Sequence, residues 1–264
     1  MTDALDRLAE VLRLARAKGA DAADGAVADG GAVSIAVRKG ALEKLERSEG
    51  AELGLRVFVG RRAAMVSTSD LSKASLEALA DRAVAMARVM PEDPYAGLAD
   101  PEQVFAGELP DCDLCDPADP TEDALIAAAK RAEDAALAVA GVVNSEGAEA
   151  SFSRSRIALA ASNGFARAYA SSHAALSVSV LAGGSDGLER DYDAAVAVYR
   201  ADLPAPEALG AEAGRRAVAR VGATKPKSTT LPVVFDPRVS RSLLGHFLGA
   251  INGASIARGT SFLA

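Results

Sequence analysis

The sequence has no tryptophan, two histidines, two cysteines and only 4% aromatic residues. Cys112 and Cys115 are too few for a disulfide framework, which fits a reducing compartment where thiols stay free. With so few aromatics, any core must be filled by Ala, Val and Leu, packed closely from small side chains. No uninterrupted apolar run approaches the ~18 residues that a bilayer span requires. The opening MTDALDRLAE is acidic where a signal peptide would be basic. Neither export nor membrane insertion is expected, and the chain is placed in the cytoplasm. Excess positive charge is missing too. A net charge of −7 and a pI near 5.0 oppose phosphate contacts, so no direct nucleic-acid binding is expected. Neither G-x-G-x-x-G nor a P-loop occurs, which leaves nucleotide binding without support.

What is present belongs to an ordinary globular chain: 264 residues, 50% hydrophobic and 25% charged. At roughly 100–200 residues per domain, this length suggests about two domains. Leu5, Leu8, Val11, Leu12 and Ala15 recur at helical spacing between a Thr2 cap and Gly19. From Val27 the period changes to two, and Gly30-Gly31 reads as the turn of a hairpin. Strands are expected over 42–48, 53–59 and through Met65-Val66. Ser69-Asp70 then resembles a cap for a helix from Leu71 to Met90. The stretch to Pro120 holds five of the eleven prolines between Pro91 and Pro117 and many acids, the composition of an ordered linker or surface loop.

A second cycle follows. It has an Ala-rich helix from Thr121 to about Ala140, then strands near 142–152, 157–161, 165–181 and 192–199. Asn163-Gly164 is read as a type I′ hairpin, which needs positive φ at both central residues. A helix from about Pro204 to Val221, closed by Gly222, ends the cycle. After Lys225-Pro226-Lys227 come a short buried strand over 231–235 and a helix starting near Pro237. The expected fold is α+β: two consecutive domains of largely antiparallel sheet with flanking helices, 1–100 and 121–224, joined by a Pro/Asp-rich linker over 101–120. Residues 231–264 begin a third region, cut short at the apolar Ser261-Phe262-Leu263-Ala264.

Several patterns have the outline of a site. Cys112-Asp113-Leu114-Cys115 has the spacing of half a zinc site or of a redox dithiol. Zinc would need two further ligands, a low-pKa dithiol needs a helix N-terminus, and an acidic loop raises thiol pKa values. An incidental surface pair is expected. Gly183-Gly184-Ser185-Asp186-Gly187 spells G-x-S-x-G, but an elbow needs a helix to follow, and a strand is expected here. Ser185 is therefore read as part of a hairpin loop. His173 and His246 are each read as packing or surface residues, since one imidazole without a second ligand or a nucleophile supports no mechanism. Glu189, Asp191 and Asp193 alternate and should share one strand face, open to cation binding or, as expected here, to solvation. Arg154, Arg156 and Arg167 are expected on solvated strand faces.

Leu231-Pro-Val-Val-Phe-Asp-Pro-Arg-Val-Ser-Arg-Ser-Leu-Leu-Gly-His-Phe-Leu-Gly-Ala-Ile-Asn-Gly, with Arg258-Gly-Thr-Ser-Phe-Leu, resembles the start of the third region of the TldD/PmbA peptidase family, on its PmbA (TldE) branch. Gly54-Leu-Arg-Val-Phe-Val-Gly60 resembles the family's first region. Asn144-Ser145-Glu146-Gly147 and Ser162-Asn163-Gly164-Phe165 resemble its second. The resemblance implies a two-subunit cytoplasmic metallopeptidase in which a TldD-type partner holds zinc through H-E-x-x-x-H, two imidazoles binding the ion and the glutamate activating its water. At the matching place this sequence reads Gly245-His246-Phe247-Leu248-Gly249-Ala250. Gly245 stands at the first histidine, His246 at the glutamate and Ala250 at the second histidine. The resemblance therefore implies no catalytic residue and no metal in this chain, with Gly245, His246, Asn252 and Gly253 as signature positions near a pseudo-active site. It further implies a TldD-type partner and unfolded peptide substrates, as in antitoxin turnover and peptide maturation. A gyrase-modulator label would then reflect peptides that act on gyrase. Two other readings stay open: a stand-alone peptide-binding homodimer, and a peptidase whose ligands lie beyond Ala264.

Overall fold

The computed structural model describes residues 2–185 and 187–263, apart from the side chain of Thr2, on which the expected first cap falls. It divides into two compact units, Met1–Gly222 and Ala223–Ala264.

The first unit is built on one antiparallel sheet. Its strands are β1 (Ala22–Arg38), β2 (Ala41–Val59), β3 (Arg62–Thr68), β4 (Val142–Ala161), β5 (Ala166–Gly184) and β6 (Gly187–Ala197), in the spatial order β3-β2-β1-β4-β5-β6. The α+β character and antiparallel pairing follow expectation. The two stretches do not build separate sheets, because β1 pairs with β4 from Asp24↔Ala161 to Val37↔Ala148. Segments expected as pairs of short strands are continuous. Gly30-Gly31 is not a turn but lies mid-strand in β1, opposite Gly50 and Glu49 on one side and Ser155 and Arg154 on the other. A Cβ on Gly30 would come within 2.3 Å of the Arg154 carbonyl oxygen, so glycine here serves close strand approach.

The tight two-residue hairpin is elsewhere, at Lys39-Gly40. Both residues have positive φ, 53° and 73°, and they join the paired residues Arg38 and Ala41, the geometry of a type I′ turn. At Asn163-Gly164 only Gly164 has positive φ, and its N–H closes the turn onto the Ala161 carbonyl at 3.1 Å. That is a longer loop than type I′.

The helices are α1 (Thr2–Ala17), α2 (Lys73–Val89), α3 (Glu122–Leu137) and α4 (Pro206–Arg220). Ser72, rather than Ser69-Asp70, caps α2 by accepting from Ser75 N–H, while Thr121 Oγ1 caps α3 at 3.2 Å. Helices α1 and α2 pack together over one half of the sheet, on Ala23, Val27, Leu53, Leu55 and Val57. Helices α3 and α4 pack over the other half, on Ile35, Val37, Ala148, Ala150, Leu176 and Val178. Both cores take odd-numbered residues of β1. Because side chains alternate along a strand, all four helices lie on the same face of the sheet. Fully buried leucines such as Leu8, Leu53, Leu55 and Leu79 each contribute roughly 1.5–3 kcal/mol. Where α4 crosses α3, Gly210 and Gly214 let the backbones approach.

The segment between α2 and α3 acts as an edge cover. Beyond Ala174, β6 no longer flanks β5. There the linker takes over: Arg167 reaches the Gly107 carbonyl at 3.3 Å and Ser172 N–H donates to the Leu114 carbonyl at 2.9 Å. The Ser172 bond occupies a backbone donor that an open edge would leave unpaired, and the Arg167 side chain ties the linker alongside.

The second unit holds α5 (Pro237–Ala250), capped by Asp236, and α6 (Gly253–Ala257). Residues 231–235 are not a buried strand. They have no ladder partner among the described residues, and Val234 is 96% exposed.

Candidate functional site

Between the two helix pairs the helical face of the sheet is uncovered, and a cleft of about 840 Å3 opens along the middle of β1, β2 and β4. Its floor is polar. Arg156 Nε meets Asp29 at 2.6 Å, and Arg154 Nη2 reaches Asp119 at 3.1 Å and the Asp116 carbonyl at 2.6 Å. Arg47 lies 3.3 Å from Glu49 and 3.5 Å from Glu122, at the start of α3. Arg154 and Arg156 are thus ion-paired in a cleft rather than simply solvated, while Arg167 lies over the Phe165 ring. Three arginines (Arg47, Arg154 and Arg156) and five carboxylates (Asp29, Glu49, Asp119, Glu122 and Asp123) line it, so each cation faces a carboxylate and acids remain in excess. His173 does not line it, since it is opposite Ser153 on the helix-free face. The side chains that line the cleft are arginines, carboxylates, hydroxyls and small apolar groups, with Phe152.

The other sequence candidates resolve into structural roles. Ser185 sits in the turn between β5 and β6. With a strand on each side the elbow geometry is missing, and Asp186 lies outside the described residues. Glu189, Asp191 and Asp193 do share a face, and it is the face that meets α4. Arg216 lies 2.6 Å from Asp193, and Arg220 lies 3.6 Å from both Glu189 and Asp191. The cations on this acidic row are the chain's own guanidinium groups.

Around Cys112 and Cys115 the loop is tied down by its aspartates. Asp116 N–H donates to Ser172 Oγ at 2.7 Å, and the Asp116 carboxylate accepts from Ala118 and Arg200 N–H. Those backbone donors, Ala118 first, hold its pKa below the ordinary carboxylate value. Tyr199 donates its hydroxyl to Asp113, and that bond pushes the phenol up to about 12. Cys112 is exposed, and the Cys115 thiol has a 3.8 Å contact with the Asp116 carbonyl.

Sequence reasoning missed the best-organised polar cluster in the chain. Glu133 on α3 is fully buried, and its carboxylate accepts from Lys39 N–H and Gly40 N–H, each at 2.8 Å, and from Ser145 Oγ. Ser145 Oγ in turn accepts from Gly147 N–H at 2.9 Å. The Asn144-Ser145-Glu146-Gly147 motif therefore helps to fix the tip of the β1–β2 hairpin onto α3. A glutamate inside an Ala-rich apolar stripe was the available signal.

In the second unit the signature positions are exposed or structural. His246 is solvent-exposed, and a Cβ at Gly245 would meet nothing within 4 Å. Asn252 caps α6 by accepting from Ser255 N–H at 3.2 Å, and Gly253 is the first residue of that helix. Gly245 and Ala250 carry no ligating atom. Positions 245–250 therefore offer one imidazole and do not fit zinc, which needs at least three protein ligands at a catalytic site.

A long curled antiparallel sheet with four helices on one face, followed by a separate capped-helix segment, is the architecture of a metallopeptidase family with three consecutive domains. The PmbA/TldA metallopeptidase domain 1 matches residues 26–87, the central domain matches 115–221, and the C-terminal domain matches 228–264. The chain belongs to this PmbA/TldD family. It is 34% identical over 259 residues to the metalloprotease PmbA of Escherichia coli O157:H7, covering 98% of this chain and 57% of that protein. It is 32% identical over 247 residues to the PmbA homolog of Haemophilus influenzae, covering 93% and 54%. The chain thus spans a little over half the length of these relatives. Among solved structures, a candidate modulator of DNA gyrase from Bacteroides thetaiotaomicron superposes with a TM-score of 0.89 at 25% identity, covering 98% of this chain and 59% of that one. TldE from Thermococcus kodakarensis shares the fold, with a TM-score of 0.76 at 15% identity and coverage of 98% and 58%. No helix among the described residues is long and apolar enough to cross a membrane.

Proposed function

We propose that this chain is the non-catalytic, PmbA/TldE-type subunit of a two-subunit cytoplasmic zinc metallopeptidase acting on unfolded peptides. In this reading a TldD-type partner supplies the zinc and the water-activating glutamate, and this chain binds that partner and helps to enclose the peptide. One observation carries the reading: the stretch Gly245–Ala250 sits on α5 with glycine and alanine where a zinc helix needs imidazoles. A Cβ at Gly245 would meet no neighbour, so the first missing ligand reflects residue identity rather than lack of room. The polar cleft across the sheet, lined by arginines and an excess of carboxylates, supports a role in binding peptide.

The test is zinc per chain by elemental analysis on the full-length protein purified alone, together with hydrolysis of an unfolded peptide by this protein, by a TldD-type chain and by the mixture. Zinc well below one equivalent, no hydrolysis alone and hydrolysis by the mixture are the expected results. Near-stoichiometric, chelator-resistant zinc on the isolated protein would overturn the proposal in favour of a self-sufficient peptidase. Failure to associate with any TldD-type chain would overturn it in favour of a stand-alone peptide-binding protein.

A further inference from the structure

Between α3 and the segment that leads from β6 into α4 lies a pocket of about 190 Å3. It sits at the margin of the α3/α4 core, where Ala128, Ala150, Leu176 and Leu203 give it apolar walls. Pro204-Ala205-Pro206 forms one side, and its two prolines fix φ and bring no N–H, so that wall is stiff and poor in donors. An apolar cavity of about 150 Å3 stays dry and takes a guest the size of benzene, whereas pockets for drug-sized ligands run to roughly 300–1,000 Å3. The space therefore suits a single branched or aromatic side chain. It shares no lining residue with the cleft across the sheet.

The charges around it have one sign. Arg131 and Arg200 line the pocket, and no acid does among the described residues, in a chain whose net charge is −7. Arg131 is already engaged: its guanidinium meets the Glu207 carboxylate at 2.5 and 2.8 Å and ties the first turn of α4 to α3. Arg200 is held by its backbone, whose N–H donates to the Asp116 carboxylate at 3.1 Å, while its exposed guanidinium has no hydrogen bond or ion pair among the described residues. The planar fork of a guanidinium takes both oxygens of a carboxylate at once. Beside an apolar cavity, that fork matches a carboxylate carried next to an apolar group.

We propose that this pocket takes the C-terminal residue of a peptide, with a side chain such as that of leucine filling the cavity and the α-carboxylate pairing with Arg200. That the carboxylate belongs to a peptide rests on the peptide-binding reading above; the preference for an apolar carboxylate does not.

The measurement is titration calorimetry of the full-length protein alone, without zinc or a partner chain, using acetyl-glycyl-glycyl-leucine as the probe. Saturable one-to-one binding is expected. The C-terminal amide of the same peptide and the analogue ending in lysine should each bind at least about tenfold more weakly. Arg200→Gln should raise the Kd of the acid about tenfold, to the level of the amide, and leave the amide unchanged. This variant keeps the backbone bond to Asp116, and an unchanged urea midpoint shows it to be folded. Ala128→Leu, which fills the cavity, should abolish binding of both peptides. No binding of the acid, equal affinity for acid and amide, an unchanged Kd in Arg200→Gln, or binding that survives Ala128→Leu would each overturn the proposal. So would 4-methylpentanoate binding where the peptide does not, which would make the ligand a free aliphatic acid. None of these outcomes involves zinc or hydrolysis, so failure here leaves the subunit reading standing, and failure of the zinc test leaves this pocket's binding in place.

Discussion

Replacing Glu133 by alanine removes the acceptor for three donors at once: the Lys39 and Gly40 amides, each at 2.8 Å, and the fully buried Ser145 hydroxyl. Hydrogen bonds to a charged group are worth about 1.5–3 kcal/mol each. Against this stand the desolvation cost that the buried carboxylate no longer bears and the water that the exposed hairpin tip regains once released. A net loss of about 3 kcal/mol is expected, a large share of the roughly 5–15 kcal/mol that holds a domain folded. Glu133→Gln should recover only part of the loss, because its amide N–H2 would replace one acceptor with a donor facing a backbone N–H. Urea unfolding should show a lower midpoint with an unchanged slope. Native-state hydrogen exchange should show the Lys39 and Gly40 amides losing protection before the rest of β1. A destabilisation below about 1 kcal/mol, or tip amides that already exchange freely in the wild type, would refute the staple.

Two further outcomes follow from the same packing. Gly210→Ala sets a Cβ 2.0 Å from the Ala132 carbonyl oxygen, and backbone cannot move aside as a side chain can; a loss of about 2–3 kcal/mol is expected by chemical unfolding, against a gain of up to about 1 kcal/mol for the unobstructed mid-helix Gly245→Ala. The folded-state pKa of Asp116 is depressed, so its contribution to stability is complete above the unfolded carboxylate pKa and is lost as pH falls through the folded value; Asp116→Asn should flatten the stability profile from about pH 4 downward and leave its pH dependence near neutrality unchanged.

Periodicity made the element types legible. Alternation along 33–37 and 53–59 and the 3.6-residue rhythm of 5–15 and 121–137 report which face is buried, and burial is what decides local structure here. Boundaries failed where glycine was read as punctuation. At Gly30-Gly31 the residue type answers a close approach by β4, more than 120 positions away in sequence, and no local window carries that information. The tight turn at Lys39-Gly40 lacked the Asn or Asp that usually marks it, because Glu133 supplies acceptors to its amides from another element.

The same separation explains why the patterns that looked chemical became structural. The acidic alternation at 189–193 looks like a cation site until α4 brings Arg216 and Arg220 onto it, and the Cys-Asp-Leu-Cys loop looks like a ligand pair until its aspartates prove to be the anchored residues. In both cases the decisive partner comes from a different element. The zinc-helix comparison is of another kind, since it depends only on which side chains stand at Gly245, His246 and Ala250 and needs no tertiary partner to interpret. That expectation could therefore be written from the sequence alone, whereas the roles of the acidic row and of the loop became legible only with α4 and the start of the segment after β6 in place.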